Sequence, residues 1–309
     1  MAPTEPANSV FFASASYEPR SLAVAANLPD SCHFRLGLVY ANEEFLTGPA
    51  GDATKSNMDQ LKSLLTKRCD VVLDATGSWL NSAKQLQALR FLVGEAAKQL
   101  ADSAKMNVWV DVTTFTRESL IVGCALLREQ MTVSVFRVLY TVPLRHGEWL
   151  SRGFREVRNI MGFPGVQIPG ASTVLIVMSG FEPERTIRII DEHEPSVVLL
   201  GIGNPPTNFT FLERNLKEQE LVLARQEVKR FEFHASSVVE CARQLTAVVE
   251  QHLPQSNIIM APMSTKLSTI ATMLVAERHP AIQLAYCVPG EYNTESYSEG
   301  AQSVFIEDL

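Results

Sequence analysis

Short, nearly all-apolar runs alternate with longer helical patterns along this chain, and this alternation constrains the possible folds more than any other feature. The apolar runs at 71–75 and 108–112, for example, flank a helical pattern from 82 to 103. Strands that are apolar throughout are usually covered on both faces, as in a parallel sheet between two layers of helices. The sequence therefore predicts an α/β protein with doubly wound, parallel, Rossmann-like sheets.

The alternation is interrupted once, between residues 143 and 172, and then starts again. This segment predicts a crossover helix and a linker, because it combines several arginines with glycines and prolines. A chain of 309 residues also fits two domains, since one domain averages about 150 residues. We therefore predict one domain from 1 to 145, a crossover helix and linker from 146 to 169, and a second domain from 170 to 309.

Three short motifs occur in the same order in both parts of the chain. The first places an aromatic residue, Glu-Pro and an arginine between a strand and a helix. The second places hydroxyl side chains and a cation at a helix start after the fourth strand, and the third is Tyr-x-Val-Pro after the fifth strand. Their two copies lie at 11–21 and 176–186, at 111–117 and 261–266, and at 140–143 and 286–289. Motifs repeated in one order indicate an internal duplication, so we expect two tandem domains of the same fold.

The motifs also predict where a ligand binds. In an open parallel sheet, ligands bind outside the carboxyl ends of the strands, at the point where the strand order reverses. A helix start offers unpaired N–H groups and the positive end of the helix dipole, which suit an anion. We therefore expect one anion-binding crevice in each half, formed by Ser14, Tyr17, Glu18, Arg20, Thr113, Thr114, Thr116 and Arg117 in the first and by Ser179, Phe181, Glu182, Arg185, Ser264, Thr265 and Lys266 in the second.

The cations of these crevices are expected to be solvent-accessible and to line concave surfaces; they are Arg20, Arg117, Arg185 and Lys266. The second half carries the more compact set of residues, and we expect the principal anion site there. In the first half, the bulky Phe115 lies within the second motif. It would either obstruct the close approach of a ligand or stack on a base.

A purely structural interpretation of the same residues stays open. Ser or Thr before a helix commonly caps it by accepting a hydrogen bond from a backbone N–H. Pro19 and Pro183 fit the first position of a helix, and the preceding glutamates complement the helix dipole. Arg20 and Arg185 oppose that dipole, so each needs a partner, either a neighbouring glutamate or a ligand phosphate.

Composition and missing motifs exclude several classes of function. The net charge of −7, from 27 basic and 34 acidic residues, disfavours broad duplex nucleic-acid binding but permits a local basic pocket. The five cysteines are odd in number and form no CxxC, which is typical of buried thiols in a cytoplasmic protein. No run approaches the roughly 20 apolar residues of a membrane span. The histidines show no metal-ligand spacing and no Walker, GxSxG or HExxH motif occurs, so we expect neither a metal nor a cofactor.

The paired motifs resemble those of a known family. A Rossmann-like unit with one motif after the first strand and a Ser/Thr-rich motif ending in Lys or Arg after the fourth is similar to the CRISPR-associated Rossmann-fold (CARF) domain. Two such units in one chain resemble the SAVED domain, and the matching segments are 14–20 with 113–117 and 179–185 with 264–266. The resemblance implies a cyclic oligonucleotide ligand, a role in bacterial antiviral defence, and an effector that is a separate protein or has been lost.

Three functions are compatible with the sequence. The first is a non-enzymatic sensor of a nucleotide or other phosphorylated ligand. The second is an enzyme acting on a nucleotide or sugar phosphate, with Glu18 or Glu182 as acid or base and with Asp111 or His146 assisting. The third is a subunit of a larger complex that docks through an arginine-rich helix at 145–158.

Overall fold

The computed structural model describes residues 8–101, 105–204, 209–253 and 255–309, and for residues 209 and 210 it describes the backbone alone. These residues form a mixed α/β structure with two largely parallel six-stranded sheets and a two-stranded ribbon. The chain divides into two units. Unit 1 comprises Met1–Glu148 and Thr294–Leu309, and unit 2 comprises Trp149–Asn293.

The elements are numbered in chain order. The strands are β1 (Ser9–Ala15), β2 (Phe34–Asn42), β3 (Cys69–Gly77), β4 (Met106–Asp111), β5 (Val133–Thr141), β6 (Arg145–His146), β7 (Ser151–Pro164), β8 (Ser172–Met178), β9 (Val197–Gly203), β10 (Val228–Phe233), β11 (Ser256–Pro262), β12 (Gln283–Tyr292), β13 (Ser298–Glu299) and β14 (Val304–Asp308). The helices are α1 (Ala23–Asn27), α2 (Gly51–Thr66), α3 (Ser82–Gln99), α4 (Arg117–Gln130), α5 (Pro183–His193), α6 (Phe209–Glu218), α7 (Glu220–Leu223), α8 (Val238–Glu250) and α9 (Lys266–Arg278). A 3-10 helix at Pro19–Leu22 leads into α1.

The sheet of unit 1 has the strand order β14-β5-β4-β1-β2-β3. Strands β1 to β5 are parallel, and β14 is antiparallel to β5. The order reverses between β1 and β4, where Ala13 pairs with Asp111, and we call such a reversal the switch point. β1 is buried along its whole length, in agreement with its apolar sequence. The predicted α/β class with largely parallel sheets is confirmed.

The sheet of unit 2 has the order β10-β9-β8-β11-β12-β7. Strands β8 to β12 are parallel, and β7 is antiparallel to β12. Its switch point lies between β8 and β11, where Met178 pairs with Pro262. The five parallel strands of both sheets therefore follow one order, and each sheet adds an antiparallel strand beside the fifth.

The predicted crossover helix within 146–169 is wrong, because most of this segment is strand β7. β7 lies at the edge of its sheet, and edge strands commonly carry charged side chains, which explains the arginines along it. Its partner β12 is distant in sequence, so local composition did not reveal the pairing. The unit boundaries also differ from the predicted ones: β7 belongs to unit 2, and residues 294–309 return to unit 1, where β14 pairs with β5.

Each unit has its own apolar core. In unit 1, Phe34 contacts Phe11 and Trp109, with ring centroids 5.3 Å apart in both pairs. In unit 2, residues of β8 such as Leu175 pack against Ile189 of α5. All five cysteines are buried. Within the described ranges, no helix combines the length and the apolar character that crossing a bilayer requires.

Candidate functional site

Both copies of the first two motifs lie at the switch points. In unit 1 they follow β1 and β4, and in unit 2 they follow β8 and β11. In each unit the two strands pair directly, so the segments that follow them meet at one sheet edge. This is the edge where ligands bind in open α/β sheets.

The Glu-Pro motif of unit 1 forms a buried cluster around Arg20. Its Nη2 donates to Glu18 Oε2 at 2.5 Å, and its Nη1 donates to the carbonyl oxygen of Thr141 at 2.7 Å. Its Nε donates to Ser298 Oγ at 2.9 Å, and that hydroxyl donates to Glu18 Oε2 at 2.5 Å. Arg20 thus fastens the start of the first helical segment to the end of β5 and to β13.

Unit 2 repeats this cluster around Arg185. Its Nε donates to the carbonyl oxygen of Cys287 at 2.9 Å, and its Nη2 makes a second bond to the same oxygen. Its Nη1 lies 3.2 Å from Glu182 Oε2, and the Ser151 hydroxyl donates to Glu182 Oε1. We refer to the clusters Glu18–Arg20–Ser298 and Glu182–Arg185–Ser151 as the arginine clamps.

The arginines of both clamps are charged. Burial alone would lower the pKa of Arg20, but the neighbouring Glu18 carboxylate, together with Tyr140 and Tyr297, raises it overall. Arg185 behaves in the same way, with Glu182 as the main source of the increase in its pKa. Each clamp is therefore a buried ion pair whose donors are directed at oxygen atoms of the protein itself.

The expectation that the predicted cations are solvent-accessible is wrong for three of them. Arg20 is 5% exposed, Arg117 is 8% exposed and Arg185 is 1% exposed. Lys266, the first residue of α9, is half-buried. For Arg20 and Arg185 the physical reason is the clamp, because backbone carbonyl oxygens take the place that a ligand phosphate was expected to fill. In the described residues, Lys266 is thus the predicted cation best placed to meet a ligand.

The second motif of unit 1 joins the ends of three strands. Thr113 Oγ1 donates to Asp111 Oδ1 at 2.5 Å and accepts from the Thr141 N–H at 3.0 Å. Thr114 Oγ1 donates to the carbonyl oxygen of Ser14 at 2.6 Å. Thr116 caps α4 by accepting from the Ser119 N–H. All three threonines are buried. Thr116 has the capping role of the structural interpretation, whereas Thr113 and Thr114 bond to the ends of neighbouring strands.

Phe115 belongs to the core of unit 1. It is 1% exposed, and its ring lies 4.7 Å from that of Phe12 and 6.1 Å from that of Tyr40. Neither expected role, obstruction of a crevice or stacking on a base, fits this position. The sequence did not show it, because an aromatic residue in a loop can turn toward the core or toward solvent.

Asp111 is the buried carboxyl group at the switch point of unit 1. Burial raises its pKa to about 7, while hydrogen bonds from Thr113 and the charge of Arg20 lower it. Asp111 is buried, with 3% of its surface exposed. Tyr17 is also buried, and its ring packs edge-on against Phe45 at 5.1 Å.

The switch point of unit 2 is more open. Ser264, Thr265 and Lys266 are all half-buried, whereas their counterparts in unit 1 are buried. Thr265 caps α9 by accepting from the Ser268 N–H at 3.2 Å. Ser179 is buried and donates to the carbonyl oxygen of Gly201 at 2.7 Å. The most accessible polar groups of the second motif are thus in unit 2.

The two motif segments of unit 2 touch at Gly180. A Cβ added at this position would lie 2.3 Å from the carbonyl oxygen of Met263, a distance that no side chain tolerates. Glycine therefore allows the segment after β8 to lie directly against the segment that leads to Lys266. The first half has Ala15 and Ser16 in this stretch and joins its two segments through Thr114 instead.

A cleft of about 180 Å³ lies beside the first motif of unit 2. Phe181, Glu182 and Arg185 line it together with Ser151, Arg152 and Glu218. The ring of Phe181 is half-buried, meets Phe211 edge-on at 5.6 Å, and lies 4.5 Å from the guanidinium of Arg214. The structure therefore brings three of the predicted residues of unit 2 to one concave surface.

Sequence reasoning missed the serines of the clamps, Ser151 and Ser298. Each begins a Ser-x-Gly sequence whose glycine has a positive φ, +58° at Gly153 and +61° at Gly300. Only glycine adopts such a conformation readily. The Ser-x-Gly sequence follows the Tyr-x-Val-Pro motif in both halves. A comparison of the two halves that continued beyond this motif would have revealed both serines.

Comparisons with known proteins give no family. No family model matches the sequence, and no curated protein matches it. One solved structure that is similar is a periplasmic ribose ABC transporter from Conexibacter woesei DSM 14684, with 11% sequence identity over 90% of this chain and 70% of that chain. Its TM-score is 0.21, so this likeness carries no argument about function.

Proposed function

We propose that this chain is a non-enzymatic binding protein for a nucleotide or other phosphorylated ligand, and that the ligand binds at the switch point of unit 2. The observation that carries the proposal is the half-buried position of Ser264 and Lys266 at the start of α9, directly after Met263, whose carbonyl oxygen lies against Gly180. A lysine at a helix start combines a full positive charge with backbone N–H donors, which is the chemistry that binds phosphate.

The adjoining surface suits the remainder of such a ligand. The cleft beside Phe181 offers an aromatic ring for stacking and the polar groups of Arg152 and Glu218 for hydrogen bonds. Since Gly180 holds the two motif segments together, a ligand that spans them meets the phosphate-binding groups and the cleft at once.

The surroundings of Glu18 and Glu182 fit a protein that binds its ligand without converting it better than they fit an enzyme. A general acid or base must come within hydrogen-bond reach of the substrate. Glu18 and Glu182 are buried, and each is held by an arginine and a serine hydroxyl. The arginine-rich segment suggested for docking in a complex forms β6 and the first part of β7 rather than a helix.

We also propose that the two units arose by internal duplication with an exchange of strands. Strand β7, which follows β5 and the short strand β6 in the chain, is added beside β12, and strand β14, which follows β12 and the short strand β13, is added beside β5. Ser151 and Ser298, which occupy matching places in these two connections, complete the matching clamps. A duplicated gene whose halves exchange their last strands accounts for all of these correspondences.

The resemblance to CARF and SAVED domains supports a narrower proposal about the ligand. Paired Rossmann-like units with motifs after the first and fourth strands bind cyclic oligonucleotides in those families. We therefore propose that the ligand of this chain is a cyclic oligonucleotide, that the chain acts in antiviral defence, and that its partner is a separate effector protein.

Calorimetric titration with linear and cyclic nucleotides at fixed salt tests the proposal. Lys266→Ala should weaken binding about 10–100-fold, the equivalent of one charged hydrogen bond of about 1.5–3 kcal/mol. The matched control is Lys229→Ala on β10 of the same unit, an exposed position far along the sheet from β11, and it should bind like the wild type.

Equal affinities of the Lys266 and Lys229 variants would refute the site in unit 2. A loss confined to Arg117→Ala would move the site to unit 1. Chromatography of the nucleotides after incubation checks for turnover, and conversion of any of them would refute a purely binding function.

A further inference from the structure

Unit 1 contains a cavity of about 310 Å³ that the proposed phosphate site does not involve. Its walls are Val24, Leu28, Leu139, Val304 and Ile306, and Trp109 forms part of its floor. The cavity lies against β4, β5 and β14 and is bordered by α1 and the residues that follow it. Small-molecule sites in proteins have this size and this predominantly apolar lining.

The cavity exists because the first helix of unit 1 is short. α1 ends at Asn27, and Pro29 follows at once, which prevents the helix from continuing. In unit 2, the helix after the Glu-Pro motif runs from Pro183 to His193 and packs on β7 and β12. The corresponding face of unit 1 is left without this cover, so Ile306 is 62% exposed and Val304 is 38% exposed.

Arg137 supplies the charge in this apolar lining. Its guanidinium lies 4.4 Å from the centre of the Trp109 ring. Its Nε donates to Asp308 Oδ1 at 2.6 Å and its Nη2 donates to Asp308 Oδ2 at 2.8 Å. The guanidinium is thus already oriented for two parallel bonds to a carboxylate, and the present carboxylate comes from a side chain that is 52% exposed.

We propose that this cavity binds a small apolar carboxylate, whose hydrocarbon part fills the cavity and whose carboxylate replaces Asp308 on Arg137. The exchange leaves the number of bonds to the guanidinium unchanged and returns Asp308 to water. The net gain therefore comes from covering apolar surface such as Val304 and Ile306, and affinity should rise with chain length until the cavity is full.

Octanoate, octanol and octylamine test the proposal, because they share one chain and differ in charge. Equilibrium dialysis against the full chain should show saturable binding of octanoate and octanol with similar affinities, because the carboxylate only replaces that of Asp308, and weaker binding of octylamine, whose ammonium would meet the Arg137 guanidinium. No saturable binding of octanoate, or octylamine bound as tightly as octanoate, would overturn the proposal.

Two substitutions test whether the ligand carboxylate competes with Asp308 for Arg137. Asp308→Asn removes the competing carboxylate at an exposed position, so octanoate should bind about three- to tenfold more tightly while octanol is unchanged. This gain gives the Asp308→Asn variant a preference for octanoate over octanol, and adding Arg137→Gln to that variant should abolish it. The control is Glu307→Gln, which pairs with Val138 and alternates to the other face of the strand, and it should leave both affinities as they are. If Asp308→Asn leaves the affinity for octanoate unchanged or lowers it, the carboxylate of octanoate does not compete with Asp308 for Arg137.

Discussion

The arginine clamp of unit 2 predicts a large loss of stability when Arg185 is replaced by methionine. The substitution keeps an unbranched side chain of similar length but removes the charge. It leaves Glu182 buried without the cation that lies 3.2 Å away and leaves the Cys287 carbonyl oxygen without its donors. If Arg185 were a ligand-binding residue on the surface, the same change would alter stability by about 0.5 kcal/mol at most.

The structure sets the size of this loss. Removing one partner of a buried ion pair costs about 3–5 kcal/mol, because the other charge stays buried and uncompensated. Arg185 is 1% exposed and Glu182 is 8% exposed, so solvent screens the pair little. We expect Arg185→Met to lower the free energy of unfolding by about 3–5 kcal/mol. Adding Glu182→Gln should recover about 1–3 kcal/mol, since it removes the uncompensated charge.

Urea denaturation followed by far-UV circular dichroism measures this effect. Arg188→Met is the matched control on the same helix: Arg188 pairs with Glu192 at 2.5 Å, but both side chains are far more exposed than the clamp, at 38% and 42%. Such surface pairs contribute about 0–1 kcal/mol. If Arg185→Met costs no more than Arg188→Met, or if it weakens nucleotide binding without lowering stability, then Arg185 is not a structural clamp.

Two further predictions concern unit 1. Phe115→Ala should lower the free energy of unfolding by about 3–5 kcal/mol, because the ring is buried in the core, and calorimetric titration should show unchanged nucleotide affinity. Burial raises the pKa of Asp111 from its ordinary value of 3.8 to about 7, so between about pH 4 and pH 7 the folded chain keeps a proton that the unfolded chain releases. The contribution of Asp111 to the free energy of unfolding therefore falls as the pH rises through that range. Asp111→Asn should remove this pH dependence in urea denaturation measured at a series of pH values. If the pH dependence is unchanged in the variant, it comes from other groups.

Local sequence predicted the parallel strands and the places of the motifs correctly. The apolar character of β1 and β4 is enough to bury them, and a buried strand followed by a helix leads to a parallel sheet whose carboxyl ends share one edge. The motifs follow those strands, so their positions at the switch points come from the order of elements alone. The capping roles of Thr116 and Thr265 are equally local, because a cap bonds to an N–H three residues on.

Local sequence could not predict which way the motif side chains point. Arg20 and Arg185 face inward because the carbonyl oxygens of Thr141 and Cys287, each more than 100 residues away, lie within reach in the folded units. The same signature, a glutamate followed by an arginine at a helix start, would serve a ligand phosphate if those carbonyl oxygens were elsewhere. The direction of a polar side chain depends on which partners the fold brings near it, and a motif does not contain them.

By itself, the sequence determined the α/β class, the parallel strands and the edge where the repeated motifs lie, since apolar periodicity and helix starts act over a few residues. Tertiary structure decided the pairing of β7 with β12 and of β14 with β5, because an edge strand finds its partner among strands far away in the chain. It also decided that three of the four predicted cations are buried, while Lys266 remains half-buried. Burial and pairing depend on contacts between distant segments, and these exist only once the sheets have formed.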